Sequence, residues 1–242
     1  MIPLRDSNPT RRFPIVTVAL IGLNVAAFLI DRATATTEVV DVLTPYGIVR
    51  AHRFVGGLAQ HYALIPGDLV RDMQGAWLTA FTSMFLHANW LHIGGNMLYL
   101  WIFGNNVEDS MGRLRFLVFY LMTGIIASIA QVLTGPNSRI PTVGASGAIA
   151  GVLGAYIVLF PTARVQTLLF LGYFARAAQL PALVVLGFWF VLQLFNGLLA
   201  FGVAQMGGVA WFAHIGGFVS GLLLVRLFTL GRRPNHWDER YR

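Results

Sequence analysis

The stretch Gly144–Tyr156 reads GASGAIAGVLGAY. A single hydroxyl, Ser146, stands between Gly144 and Gly147, and no charged side chain follows before the next proline. Residues 142–160 form an apolar run of the length that crosses a bilayer, which takes ~20 residues. Gly147 and Gly151 fall four apart and mark one face of that helix with small residues. Such a stripe lets two helix backbones approach closely in lipid. The segment therefore reads as a membrane span with a hydroxyl near one end.

Working outward, five more apolar runs appear, at about 14–31, 86–107, 114–134, 181–202 and 211–230. The chain has 242 residues, of which 56% are hydrophobic and 11% charged, against ~25% charged in soluble domains. The pattern predicts an all-α polytopic membrane protein: one domain over 1–242 built as a six-transmembrane-helix bundle. The first run has a basic start (Arg11, Arg12), and Ala33–Thr36 (ATAT) resembles a cleavage site. Its long apolar core and the spans that follow favour a retained helix, with processing left open.

There is no cysteine, which excludes disulfides and thiol chemistry. The net charge of +7 comes entirely from arginine. With a cytoplasmic N-terminus, the inner segments hold Arg5, Arg11, Arg12, Arg113, Arg115, Arg164, Arg176, Arg232, Arg233, Arg240 and Arg242, with Arg226 at the inner end of the last span. The outer loops hold Arg32, Arg50, Arg53, Arg71 and Arg139, most of them in one long loop at about 32–76. This bias predicts that both termini are cytoplasmic, in a multi-pass protein of the plasma membrane. Arginines at helix ends, rather than a basic domain with stacking aromatics, argue against a nucleic-acid partner. The long loop mixes apolar, aromatic and basic residues, which suits structure lying in the interface plane.

Strongly polar residues inside a membrane are costly and point to function. His92 and Asn96 share one face of the second span, Ser146 begins the fourth, and His214 lies early in the sixth. Counted at 1.5 Å per residue from the span ends, these side chains sit roughly 5–10 Å below the outer surface. Each alone has a bland reading. A membrane serine usually bonds back to its own helix, a lone histidine or asparagine can bridge helices, and His87, near the entry of span two, reads equally as interfacial or catalytic. Together, at one depth, they make a Ser–His dyad: a neutral imidazole takes the hydroxyl proton and frees the nucleophile. Gly217 and Gly221 on span six complement Gly147 and Gly151 on span four and bring the two groups together. The backbone N–H of Ser146 and the side chains of His92 and Asn96 are the donors for an oxyanion. Glu108 and Asp109 lie at the far end of span two, so no carboxylate completes a triad. Gln193, Asn196, Ser128 and Gln131 read as interhelical bonds or water sites, with Ser128 and Gln131 offering a hydrated path. A nucleophile at this depth meets peptide bonds of other membrane segments, which must unwind locally before attack.

The stretches HANWLHIGGNMLYLWIFGNNVED (87–109), GASGAIAGVLGAY and AHIGGFVSG (213–221) together resemble the rhomboid family of intramembrane serine proteases. The resemblance implies Ser146 as nucleophile, His214 as base, His92 and Asn96 as oxyanion partners, and His87, Gly144, Gly147 and Ala150 as neighbours of the site. It implies a structural role for Glu108, a side gate around Phe188, Trp189 and Phe190, and a cap at about 203–210. Transmembrane proteins in the bilayer would be its substrates, with no cofactor and no metal. Two departures stand out. Many relatives carry a Trp-Arg pair in the first outer loop, where this chain has Trp77 followed by Leu78. Many also carry an aromatic packed on the histidine at the position of Ala150. Two other readings stay open: a pseudoprotease that binds membrane helices without cleaving them, and a transporter whose polar path runs past His92, Asn96 and His214.

Overall fold

Apolar helices joined by short connections dominate the chain. The computed structural model describes residues 1–44, 47–171, 174–200 and 209–232. After strand β1 (Ile2–Asp6), helix α1 (Ile15–Thr34) starts directly behind Pro14. The described part of the long loop that follows carries secondary structure. Strands β2 (Ala35–Thr44) and β3 (Gly47–Gly56) form an antiparallel hairpin, paired from Ala35 with Gly56 to Thr44 with Gly47. Valine and threonine recur through β2, as a strand favours. Four short helices come next: α2 (Gly57–Tyr62), α3 (Pro66–Arg71), α4 (Met73–Ala76) and α5 (Thr79–Thr82). This region is stitched to the segment before Ser146. Leu64 and Thr142 exchange both backbone bonds (3.1 and 2.7 Å), Gly67 N–H donates to the Ser138 carbonyl (2.9 Å), and Arg139 pairs with Asp68 (2.9 Å).

Helix α6 (Trp90–Tyr99) begins later than the expected span because the Asn89 side chain caps it, accepting the His92 N–H at 2.9 Å. It continues through a π-helical stretch at Leu100–Gly104 into α7 (Asn105–Met111). Next come α8 (Arg113–Thr134) and α9 (Ser146–Leu159), the latter starting at Ser146 itself. Strands β4 (Arg164–Leu171) and β5 (Phe174–Pro181) form a second hairpin, and β4 also pairs antiparallel with β1, giving the order β1-β4-β5. Helices α10 (Ala182–Ala200) and α11 (Trp211–Thr229) complete the described chain. Helices α1, α8, α10 and α11 are each long and apolar enough to cross a membrane. The all-α expectation needs correction. The molecule is mostly helical, but the first part of the loop at 32–76 and the connection between α9 and α10 form small sheets. The expected cap at 203–208 and the inner arginines Arg233, Arg240 and Arg242 lie outside the described residues.

Helix α9 is apolar on every side and sits at the centre, buried from Gly147 to Tyr156. It packs chiefly on α11 and α8, and α6, α7 and α10 also touch it. At the end of the bundle away from Ser146, Glu108 is buried and receives Val16 N–H (3.0 Å), Thr17 N–H (2.8 Å) and the Thr17 hydroxyl (2.8 Å). A carboxylate here satisfies the orphan amides that open α1 and complements its dipole. Nearby, Asp6 Oδ2 accepts from the Tyr156 hydroxyl (2.6 Å) and the Asn106 amide (2.7 Å). Burial pushes the Asp6 carboxyl up to about 6, against the pull of these donors.

Two outcomes follow from these inner contacts. Glu108→Ala leaves three buried donors unanswered and should cost at least ~2 kcal/mol, read as a lower melting temperature in detergent. The raised Asp6 pKa favours its neutral form in the fold. Its stabilisation is therefore full below the ordinary value of 3.8 and lost as pH rises through about 6. Asp6→Asn should flatten the fall in melting temperature between about pH 4 and 6.

Candidate active site

Ser146 is the first residue of α9, so its own backbone N–H has no partner within the helix ladder. The chain arrives there through Gly144, at φ +131°, whose N–H donates to the Ser83 carbonyl at 2.9 Å. A Cβ on Gly144 would lie 2.8 Å from both Cε1 and Nε2 of His92. Glycine is needed at this position for its backbone angle and for the room it leaves the ring.

His214 lies in the first turn of α11. Its Nε2 is 2.7 Å from Ser146 Oγ. Its Nδ1 is 2.8 Å from Gln193 Oε1 on α10. The Gln193 amide nitrogen donates to the Trp189 carbonyl at 3.3 Å, and a carbonyl can only accept, which sets the orientation of the amide. With the imidazole proton on Nδ1, Gln193 Oε1 accepts it and Nε2 is left with a lone pair for the Ser146 hydroxyl. Helices α9 and α11 come close enough for this because a Cβ on Gly217 would run into the Gly147 carbonyl, and one on Gly221 into the Gly151 carbonyl. The missing side chains of Gly147 and Gly151 face α8 instead, at Ala127 and Thr123. The small-residue stripe on α9 thus serves two neighbours.

Ala150 is fully buried beside Gly217, in the tight seam between α9 and α11. The aromatic cover absent at 150 comes from elsewhere: the Trp189 ring lies 5.7 Å from the imidazole, and the Trp211 ring 6.4 Å away, edge-on. Phe190 stacks on Phe218 at 4.3 Å, while Phe188 is half exposed. Trp77 is largely exposed.

His87 precedes α6 and is buried. Its Nε2 is 2.9 Å from the Asn96 amide nitrogen, and its ring lies edge-on to His92 at 5.1 Å. Sequence position alone left His87 undecided between the interface and the site; the fold places it behind Asn96. His92, Asn96, Gln131, Ser146 and His214 all line one cavity of about 570 Å³. Gln131 is further tied down, accepting Ala213 N–H at 3.2 Å. Ser128 instead donates to the Ala80 carbonyl at 3.2 Å, and Asn196 bonds back to Leu192 of its own helix at 2.8 Å. Gln193 is the residue that sequence reasoning undervalued. Its signal was there: a long amide side chain in an otherwise apolar span.

Chemically, the arrangement offers a hydroxyl on a basic nitrogen, an unsatisfied backbone N–H, and a histidine and an amide facing the same space. Gly144→Ala should push the His92 ring aside and strain the approach to Ser146. If Ser146 is reactive, as proposed below, its labelling by a serine-directed fluorophosphonate is expected to fall by about a hundredfold, at the scale of one displaced oxyanion donor.

Comparison with known proteins agrees with this architecture. A family model described as Rhomboid domain matches residues 74–230. Rhomboid protein 1, mitochondrial, of Saccharomyces cerevisiae is 29% identical over 210 residues, covering 85% of this chain and 51% of that protein. Rhomboid-like protein 11, chloroplastic, of Arabidopsis thaliana is 30% identical over 159 residues, 64% of this chain and 53% of that one. Rhomboid protease GluP of Bacillus subtilis is 33% identical over 148 residues, 61% of this chain and 25% of that one. The chain thus spans about half the length of the first two relatives and a quarter of the third. With the match covering most of its helical bundle, the chain is a multi-pass membrane protein that belongs to the rhomboid family.

Proposed function

We propose that this chain is an intramembrane serine endopeptidase that hydrolyses peptide bonds in or near transmembrane segments. The observation that carries the proposal is the 2.7 Å contact between Ser146 Oγ and His214 Nε2 at the wall of a polar cavity. In the proposed reaction the Ser146 proton passes to His214 Nε2 as Oγ bonds the scissile carbonyl carbon. The carbonyl electron pair moves to oxygen, which the Ser146 N–H, His92 and Asn96 receive. The Asn96 amide has two N–H bonds, so one can meet His87 while the other meets the oxyanion. Collapse breaks the C–N bond, and the leaving amine takes the proton from Nε2. Water then repeats the sequence on the acyl-enzyme with the same base. Gln131, in the cavity wall, supports a hydrated route for that water.

The reading includes one domain over 1–242 with six spans, formed by α1, the α6–α7 rod, α8, α9, α10 and α11. Both termini face the cytoplasm, and the membrane is the plasma membrane. The arginine distribution supports that orientation. Gly144, Gly147 and Ala150 act by leaving space for the substrate backbone and the neighbouring helices, and His87 by holding Asn96.

Wild type in detergent or liposomes is expected to react covalently with a fluorophosphonate and to cut a model single-span protein near its outer boundary. Both activities should vanish in Ser146→Ala and in His214→Ala. A pseudoprotease would leave the serine unlabelled, and a transporter would retain flux in Ser146→Ala; either result would overturn the proposal.

A further inference from the structure

A membrane-embedded glutamine needs partners, and the simplest one is its own helix. Asn196, on the same helix, takes that course, bonding to the Leu192 carbonyl. Gln193 does more. It is only 7% exposed, its nitrogen turns back to Trp189 at a long 3.3 Å, and its oxygen reaches across to His214 at 2.8 Å. The shorter and better placed bond is the one that leaves the helix. It meets the imidazole nitrogen that Ser146 does not use.

From this we infer that Gln193 is a positioning residue for the proposed reaction: its Oε1 binds His214 Nδ1–H and holds Nε2 as the basic nitrogen facing Ser146. The inference rests on the Ser–His reading above and deepens it. The imidazole has two neutral tautomers, and only the one protonated at Nδ1 can take the serine proton through Nε2. Without an acceptor at Nδ1, the ring is free to hold its proton on Nε2 or to turn away. A carboxylate usually supplies this acceptor in serine hydrolases, and here a neutral amide occupies the place. A neutral acceptor suits a site among apolar helices, because a carboxylate there would need a counter-charge to offset its desolvation.

Trp189 belongs to the same device. It lies one turn before Gln193 on α10, so both side chains share a face, and its ring packs against the imidazole whose Nδ1 Gln193 engages. The base on α11 is therefore held from α10 at two points: one sets its proton, the other its plane. The packing that is missing at Ala150 on α9 is supplied by a different helix.

Gln193→Met keeps the length and bulk of the side chain and removes the acceptor. Expected are a melting temperature like that of wild type, an unchanged KM for a model substrate, and falls of about tenfold in kcat and in the rate of fluorophosphonate labelling, on the scale of one lost hydrogen bond. Gln193→Glu, whose buried carboxyl stays neutral among apolar helices and still offers a carbonyl oxygen at the same reach, should recover most of the labelling rate. In the wild-type protein, nitrogen NMR of ¹⁵N-histidine should find His214 protonated on Nδ1; this measurement is independent of how any Gln193 variant folds. Wild-type labelling with an undiminished rate in Gln193→Met, or a His214 proton found on Nε2, would overturn the inference and leave the Ser–His reading standing. So would a rate loss that only tracks a lowered melting temperature and that Glu does not rescue. No labelling of wild type at all would instead overturn the Ser–His reading.

Discussion

Gly217 and Gly221 of α11 lie against the carbonyls of Gly147 and Gly151 on α9, with no side chain between the two backbones. Everything at the candidate site depends on that approach. An interhelical hydrogen bond in a membrane is worth only ~0.6 kcal/mol on average and at most ~2. The Ser146–His214 bond is thus far too weak to draw two helices together. Packing brings them close, and the bond results from it. The same reasoning accounts for Ala150, since a larger residue at that position would enter the seam and part the helices that carry the two groups.

Around this seam each polar group has a support from a different part of the chain. Gln193 on α10 engages His214, His87 in the loop before α6 engages Asn96, and Ser83 anchors Gly144. Asn89 caps α6 and so sets where the helix of His92 begins. Unpartnered polar groups are expensive in such surroundings, so these links fix positions as well as satisfy bonds. The opposite end is organised in the same way, with Glu108 joining the end of one rod to the start of α1.

Much of this was legible in the sequence because membranes impose simple rules. Apolar length marked the helices, and the paired glycines of 147/151 and 217/221 marked the close approach. Ser146 and His214 stood out as polar residues in costly places. The small sheets were not legible because β2 and β4 show no regular alternation of apolar and polar residues, and their segments read only as connections between spans. His87 and Gln193 were left undecided for a different reason. Their partners are 9 and 21 residues away in the chain, and no local pattern says which way an amide or a ring turns. Ala150 looked like a lost contact because the Trp189 ring that covers His214 comes from another helix.

Helix α9 has 14 residues, which span about 21 Å at 1.5 Å per residue, against a hydrocarbon layer of ~30 Å. A lipid-facing helix this short would force the bilayer to thin around it. Here the shortfall is walled off by longer neighbours, so the lipid never meets it. The missing length leaves room for the cavity of about 570 Å³ that Ser146 lines. A hydroxyl seated at the top of one short central rod can thus lie below the membrane surface without thinning the bilayer around it.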